Sequence, residues 1–184
     1  MDLKTKYQKI VVGEMMQAFG YTHALAVPRV TKAVINCGIG RLMASSPGAE
    51  EKVLPQLMSD LAAVSSQKPV VTKARKSIAG FKIRQGQIIG LKVTMRGGRM
   101  YDFLERLIHV ALPRVRDFKG IALKSFDGQG NLTIGMKEHI VFPEVSIEQV
   151  KSVVGLEITV ITDAKTREEA IALTRYMGFP IKKT

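Results

Sequence analysis

The chain has no tryptophan, a single cysteine and only 6% aromatic residues. One cysteine, Cys37, excludes an internal disulfide framework and suits a reducing compartment. No apolar run approaches the roughly 20 residues needed to span a bilayer. The opening stretch, MDLKTKYQKI, lacks the apolar core of a secretory signal. These absences argue against a membrane protein and against a disulfide-stapled secreted one.

The signatures of catalysis are missing too. Gly38-Ile39-Gly40 would need a glycine at position 43 to complete a dinucleotide fingerprint, and Met43 stands there. No G-x-x-x-x-G-K-[ST] occurs. His23, His109 and His139 have no metal-ligand spacing with each other or with Cys37. Asp127 and Asp163 fall in turns, where a short carboxylate bonds to local backbone. No nucleophile has a base beside it. The expectation is therefore no catalytic residue, no cofactor and no metal. An enzyme acting on RNA would need a carboxylate cluster or a metal site that this sequence does not display.

The most informative absence is of acid. From Leu61 to Tyr101 there is no Asp or Glu, while nine basic residues lie there: Lys68, Lys73, Arg75, Lys76, Lys82, Arg84, Lys92, Arg96 and Arg99. They make up most of a formal net charge of +12, from 28 Lys and Arg against 16 Asp and Glu. A surface that is merely soluble mixes both signs, and a domain this basic needs a polyanion to relieve its self-repulsion. Nucleic acid is the usual one. An anionic membrane surface is the alternative, and the missing apolar runs weaken it.

What is present patterns into alternating elements. Leu3, Tyr7, Ile10, Val11, Met15 and Phe19 predict an amphipathic N-terminal helix that Gly20 ends. Arg29 to Asn36 predicts a strand broken by Gly38 and Gly40. A helix opens near Ser46, with Pro47 in its first turn, Glu50 and Glu51 complementing its dipole, and Val53, Leu54, Leu57, Met58, Leu61 and Ala62 buried. Pro69 to Thr72 is a short strand, and Lys73 to Gly86 a long loop with little to pack. Gln87 to Arg96 alternates, with Ile89, Leu91, Val93 and Met95 on one side and Lys92, Thr94 and Arg96 on the other. Met100 to Leu112 is a helix that Pro113 stops. Asp127-Gly128-Gln129-Gly130 is a turn leading into a strand with Leu132, Ile134 and Met136. Val153 to Ile161 is a last strand, and Thr166 with Glu169 caps a final helix that Gly178 and Pro180 end.

This order predicts an α+β fold: a split β-α-β sheet of the ferredoxin or RRM kind, with antiparallel strands, helices on one face and an additional N-terminal helix. No linker, repeat or low-complexity tract appears, so one domain over residues 1–184 is expected. The Lys92, Thr94, Arg96 face is polar and basic, which makes it a docking platform for phosphates. It carries no aromatic on which an unpaired base could stack. Folded or double-helical RNA, held by backbone and shape, is the ligand it suits. A general RNA chaperone would bind without shape preference.

Several segments, in order and over nearly the whole chain, carry a family resemblance. They are Val27-Pro28-Arg29-Val30, Asn36-Cys37-Gly38-Ile39-Gly40, the long run from Gln67-Lys68-Pro69 through Ala79-Gly80-Phe81-Lys82-Ile83-Arg84, Val93-Thr94-Met95-Arg96-Gly97, Met100-Tyr101 with Phe103-Leu104, and Glu169-Ala170 through Gly178-Phe179-Pro180. Together they resemble the L-five family, the 5S-rRNA-binding proteins of the bacterial large ribosomal subunit. The resemblance implies a cytoplasmic, ribosome-bound structural protein that holds 5S rRNA in the central protuberance alongside 23S rRNA. It implies that Asn36, Gln67 and Thr94 face 5S rRNA, with Lys68, Lys92 and Arg96 as basic neighbours. It also implies that the loop carrying Lys73, Arg75, Lys76, Ser77, Lys82 and Arg84 reaches the peptidyl-site tRNA. A small-subunit head protein of the S-thirteen family is the implied bridge partner, and the stretches Pro113 to Lys119 and Lys137 to Val145 are the candidates for that contact.

Overall fold

A computed structural model describes every residue except Ser46, Pro47, Ala49, Glu50, Lys52, Lys82, Ile147, Gln149, Lys183 and Thr184. The expected helix start at Ser46 and Pro47, with Glu50 in its first turn, and Lys82 of the basic loop therefore lie outside the described residues.

Five strands form one sheet in the order β2-β3-β1-β5-β4. They are β1 (Val30–Gly38), β2 (Val70–Lys73), β3 (Ile88–Met95), β4 (Leu132–Met136) and β5 (Leu156–Thr162). β3 lies between β1 and β2, so the β1-helix-β2 unit is split, as the order of elements predicts. β2 runs antiparallel to β3, with Val70 opposite Lys92 and Thr72 opposite Gly90. Alternation fixes the faces. Ala33, Ile35 and Cys37 of β1 and Leu91, Val93 and Met95 of β3 are buried, while Asn36 and Lys92 on the opposite face are exposed.

The chain divides into two compact units. One comprises Met1–Ala33, Met95–Ile134 and Thr159–Thr184; the other comprises Val34–Thr94 and Gly135–Ile158. In the first, two long helices share a peculiarity. The N-terminal helix is α-helical over Leu3–Lys6 and Val12–Phe19, with a π-turn over Tyr7–Val11 between them. The second helix is α-helical over Gly97–Arg106, π over Leu107–Ala111 and helical again over Leu112–Arg114.

The apolar spacing explains both turns. Leu3, Tyr7, Val11 and Met15 recur every four residues, as do Met100, Leu104, Ile108 and Leu112. A straight α-helix drifts about 40° per four-residue step, so three steps would carry the series about 120° around the axis. One π-turn absorbs an extra residue and takes back about 100°. Leu3, Val11 and Met15 are accordingly buried together, and Ile10 and Phe19 of the expected face are left exposed. The same turn overrides Pro113 as a stop: the Leu112 N–H bonds back to the Leu107 carbonyl, and the helix runs one residue past the proline to Arg114.

Other boundaries move for local reasons. β1 extends to Gly38, and a short helix, Gly40–Ser45, follows it at once. The next described helix is Leu54–Ser65, burying Leu54, Leu57, Leu61 and Val64. β5 starts at Leu156 rather than Val153 because the backbone of Val154 is engaged by His139: the His139 N–H donates to the Val154 carbonyl at 3.0 Å. The final helix, Arg167–Met177, has the full capping box at Thr166 and Glu169 and ends on Gly178 at φ 107°. At the turn before β4, Asp127 accepts from the Gln129 and Asn131 N–H groups at 2.9 and 2.7 Å.

Candidate nucleic-acid interface

The site can be built within the unit Val34–Thr94 and Gly135–Ile158. Asn36 is exposed on β1, Lys92 is exposed on β3, and Thr94 is half-buried at its end. Gln67, just ahead of β2, is half-buried and donates from Nε2 to the Thr94 carbonyl oxygen at 3.2 Å. The structure thus brings Gln67 and Thr94 together, and neither the Asn36 amide nor the Thr94 hydroxyl has a partner among the described residues. Lys68 is exposed beside Gln67. Arg96 is exposed past the end of β3, in the other unit.

Gly90 sets how closely the strands under this face approach. A Cβ there would lie 2.8 Å from Thr72 Oγ1 and 2.9 Å from the Cys37 carbonyl oxygen. No side chain fits without moving backbone, so the sequence pattern at β3 requires glycine at this point.

The basic loop is more ordered than its composition predicts. The Ala74 N–H donates to the Gln87 carbonyl at 2.8 Å, and the Gly86 N–H to the Ala74 carbonyl at 2.9 Å. Ile78 and Ile83 exchange two backbone bonds at 2.9 and 3.2 Å, and Ala79–Phe81 forms a short helical turn at the tip. Ser77, expected to face tRNA, accepts on Oγ from the Gln85 N–H at 2.9 Å. The segment is a narrow ladder carrying exposed Lys73, Arg75, Lys76 and Arg84. None of these four cations, nor Lys68 or Lys92, makes an ion pair among the described residues. Six exposed positive charges with no acid partner among the described residues make this unit a surface suited to a polyanion.

Nothing nearby offers covalent chemistry. Burial pushes the Cys37 thiol up to about 11, so it stays protonated at neutral pH. Among the described residues no three His, Cys, Asp or Glu side chains group to hold a metal ion. No described helix is long and apolar enough to cross a membrane.

Two features escaped the sequence reading. His139 is buried at 1% exposure, with Nε2 3.5 Å from Oδ2 of buried Asp60. Its Nδ1 accepts from the Val154 N–H at 3.3 Å, which assigns the proton to Nε2, facing the carboxylate. Gln56 donates to the other Asp60 oxygen at 2.9 Å. The second is the tip of the ladder, where Ile78 and Phe81 are 49% and 72% exposed. An aromatic inside an acid-free basic stretch was the available signal.

Comparison with known proteins converges on one family. Residues 23–84 match the profile of "Ribosomal protein L5", and residues 88–181 match the profile of the C-terminus of the same ribosomal family. The chain belongs to the L5 family of large-subunit ribosomal proteins. It is similar to "Large ribosomal subunit protein uL5" of Halothermothrix orenii, 49% identical over 98% of both chains. The proteins of the same name from Hamiltonella defensa and Brevibacillus brevis are each 50% identical, over 96% and 98% of both chains respectively. Membership makes this chain a structural ribosomal component and not an enzyme. The α+β fold and the cationic face agree with a life in ribosomal RNA.

Proposed function

We propose that this uL5-family chain binds 5S rRNA through the platform of Asn36, Gln67, Lys68, Lys92 and Thr94, with Arg96 following in sequence, and helps attach that RNA to 23S rRNA in the central protuberance. The observation that carries this reading is the combination of two unpartnered polar side chains, Asn36 and Thr94, with cations that no acid neutralises among the described residues. Short polar groups held on strands suit hydrogen bonds to a folded RNA surface, and the lysines suit its phosphates. Residues 1–184 act as one RNA-binding domain on the cytoplasmic ribosome.

The ladder carrying Lys73, Arg75, Lys76, Ser77, Lys82 and Arg84 contacts the peptidyl-site tRNA. A small-subunit head protein of the S-thirteen family meets the chain across the bridge. Within the two candidate stretches, Pro113, Arg114, Arg116, Asp117 and Lys119 are exposed, as are Lys137 and Pro143. His139, Val141, Phe142 and Val145 are buried and unsuited to direct contact.

Titration of 5S rRNA at several salt concentrations tests the platform. Neutralising about six phosphates of a duplex gives a log–log slope near −5, at about −0.9 per phosphate. A flat response, or equal binding to an unrelated RNA of the same size, overturns the reading and favours a shape-indifferent chaperone.

A further inference from the structure

The ladder between β2 and β3 carries more than charge. Along one side of it, from its base at Ala74 to Ile78 and Ile83, is a cavity of about 340 Å³ lined by Ala74, Arg75, Lys76, Ile78, Ile83 and Ile89. Four of the six liners are aliphatic, and its walls are apolar. That volume falls within the range of about 300–1,000 Å³ typical of small-ligand sites. Beside it, Ile78 and Phe81 expose apolar surface that the ladder does not need for its own pairing, which runs through backbone.

Apolar walls and a cationic rim select different parts of one ligand. The walls favour a flat, poorly hydrated group. Arg75 and Lys76 favour an anion attached to it, and with no acid from Leu61 to Tyr101 nothing in this stretch repels one. A nucleotide has both parts. In a duplex the base is stacked and paired, out of reach, so the occupant must be a nucleotide in a loop, bulge or open turn.

We infer that this side of the ladder captures one unstacked nucleotide of its RNA partner. Its base sits against Ala74, Ile78, Ile83 and Ile89, its phosphate lies on Arg75 and Lys76, and Phe81 offers a stacking face to the neighbouring base. The inference rests on the reading of this ladder as an RNA contact. It adds that the contact is read by base shape as well as by phosphate. The platform, with no aromatic, lacks this capacity, so the two surfaces differ in the RNA they accept.

The test uses the full chain with its platform occupied by saturating 5S rRNA. It is titrated with an RNA hairpin carrying one bulged 2-aminopurine, and with the same hairpin without the bulge. One stacked base corresponds to roughly five- to hundredfold in affinity, so the bulged hairpin binds about tenfold tighter. Ile78→Ser and Phe81→Ala each reduce that preference to below about threefold and leave the unbulged hairpin within about twofold. Equal binding of both hairpins by the unaltered chain, or a preference that survives both substitutions, overturns the inference. Arg75→Ala with Lys76→Ala separates it from the reading beneath it. Weaker binding to both hairpins with the preference gone or unchanged keeps the ladder as an RNA contact; unchanged binding to both removes it. Phosphatidylglycerol vesicles form the last arm: binding that Phe81→Ala abolishes would assign the tip to a lipid surface and overturn the nucleotide site.

Discussion

Gln67 holds the end of β3 in place: its side-chain Nε2 donates to the Thr94 carbonyl oxygen at 3.2 Å. Gln67, a residue of the proposed platform, is therefore also a brace for Thr94. Its Oε1 and its second N–H remain for solvent or RNA, while one N–H is committed to protein.

That arrangement predicts coupling. Gln67→Ala and Thr94→Ala should each weaken 5S rRNA binding, by on the order of 1 kcal/mol per lost hydrogen bond. The double variant should lose clearly less than the sum, because removing Gln67 already releases Thr94. Affinities of the two single variants and the double close the cycle. Strict additivity would mean that the brace does not act on RNA binding.

Gly90→Ala is a sharper probe of the platform. The added methyl meets the Cys37 carbonyl at 2.9 Å and Thr72 Oγ1 at 2.8 Å. Backbone must shift, at a cost of about 1–3 kcal/mol. We expect a lower urea midpoint and weaker 5S rRNA binding together. A variant of unchanged stability would contradict the close approach of the strands here.

The ladder and the platform should separate functionally. Changing Arg75, Lys76 and Arg84 to Ala leaves 5S rRNA affinity within about threefold, since surface changes away from a site are usually worth under about 0.5 kcal/mol. The same variant should loosen tRNA in the peptidyl site of reconstituted subunits. Loss of 5S rRNA binding would place the ladder in the 5S site instead.

The buried His139–Asp60 pair ties the segment after β4 to the Leu54–Ser65 helix. His139→Ala strands the Val154 N–H, at about 1–3 kcal/mol, and takes away the imidazole that lies 3.5 Å from the buried Asp60 oxygen. Chemical denaturation should show a loss in that range or above. Replacing both His139 and Asp60 should cost less than the two single losses combined.

Tyr7 gives the fold an alkaline limit. Burial, then the charges of Tyr101 and Asp163, push its phenol up to about 12, with Arg29 opposing. In the unfolded chain a tyrosine ionises near 10. The folded value is raised, so the stabilisation is fully present below about pH 10 and is lost as pH rises through about 12. Tyr7→Phe gives up the hydrogen bond to the Pro28 carbonyl at neutral pH but should flatten the fall of Tm above pH 10. An equally steep fall in the variant would mean that Tyr7 is not the group responsible.

What the sequence made legible is what acts over a few residues or adds without geometry. The capping box at Thr166 and Glu169 spans three positions, and the Asp127 turn spans four. The alternation of β3 needs only a period of two. Charge sums along the chain, so the acid-free window from Leu61 to Tyr101 was visible before any fold was known. The hidden parts join residues distant in sequence. Nothing local announces that Gln67 will bond to Thr94, or that His139 will face Asp60. The loop from Lys73 to Gly86 read as unstructured because its order comes from backbone pairing of Ile78 with Ile83, to which side-chain periodicity is blind.

The π-turn at Tyr7–Val11 makes chain length at this point as constrained as chain chemistry. Deleting one residue there would leave a continuous, fully bonded helix that still looks amphipathic as a string of letters. Its first turn would nevertheless face the wrong way. Leu3 would swing toward solvent, and its N–H would leave the Glu105 carboxylate that it now reaches at 3.2 Å. A helix of this kind tolerates many exchanges of residue but not a change in their number.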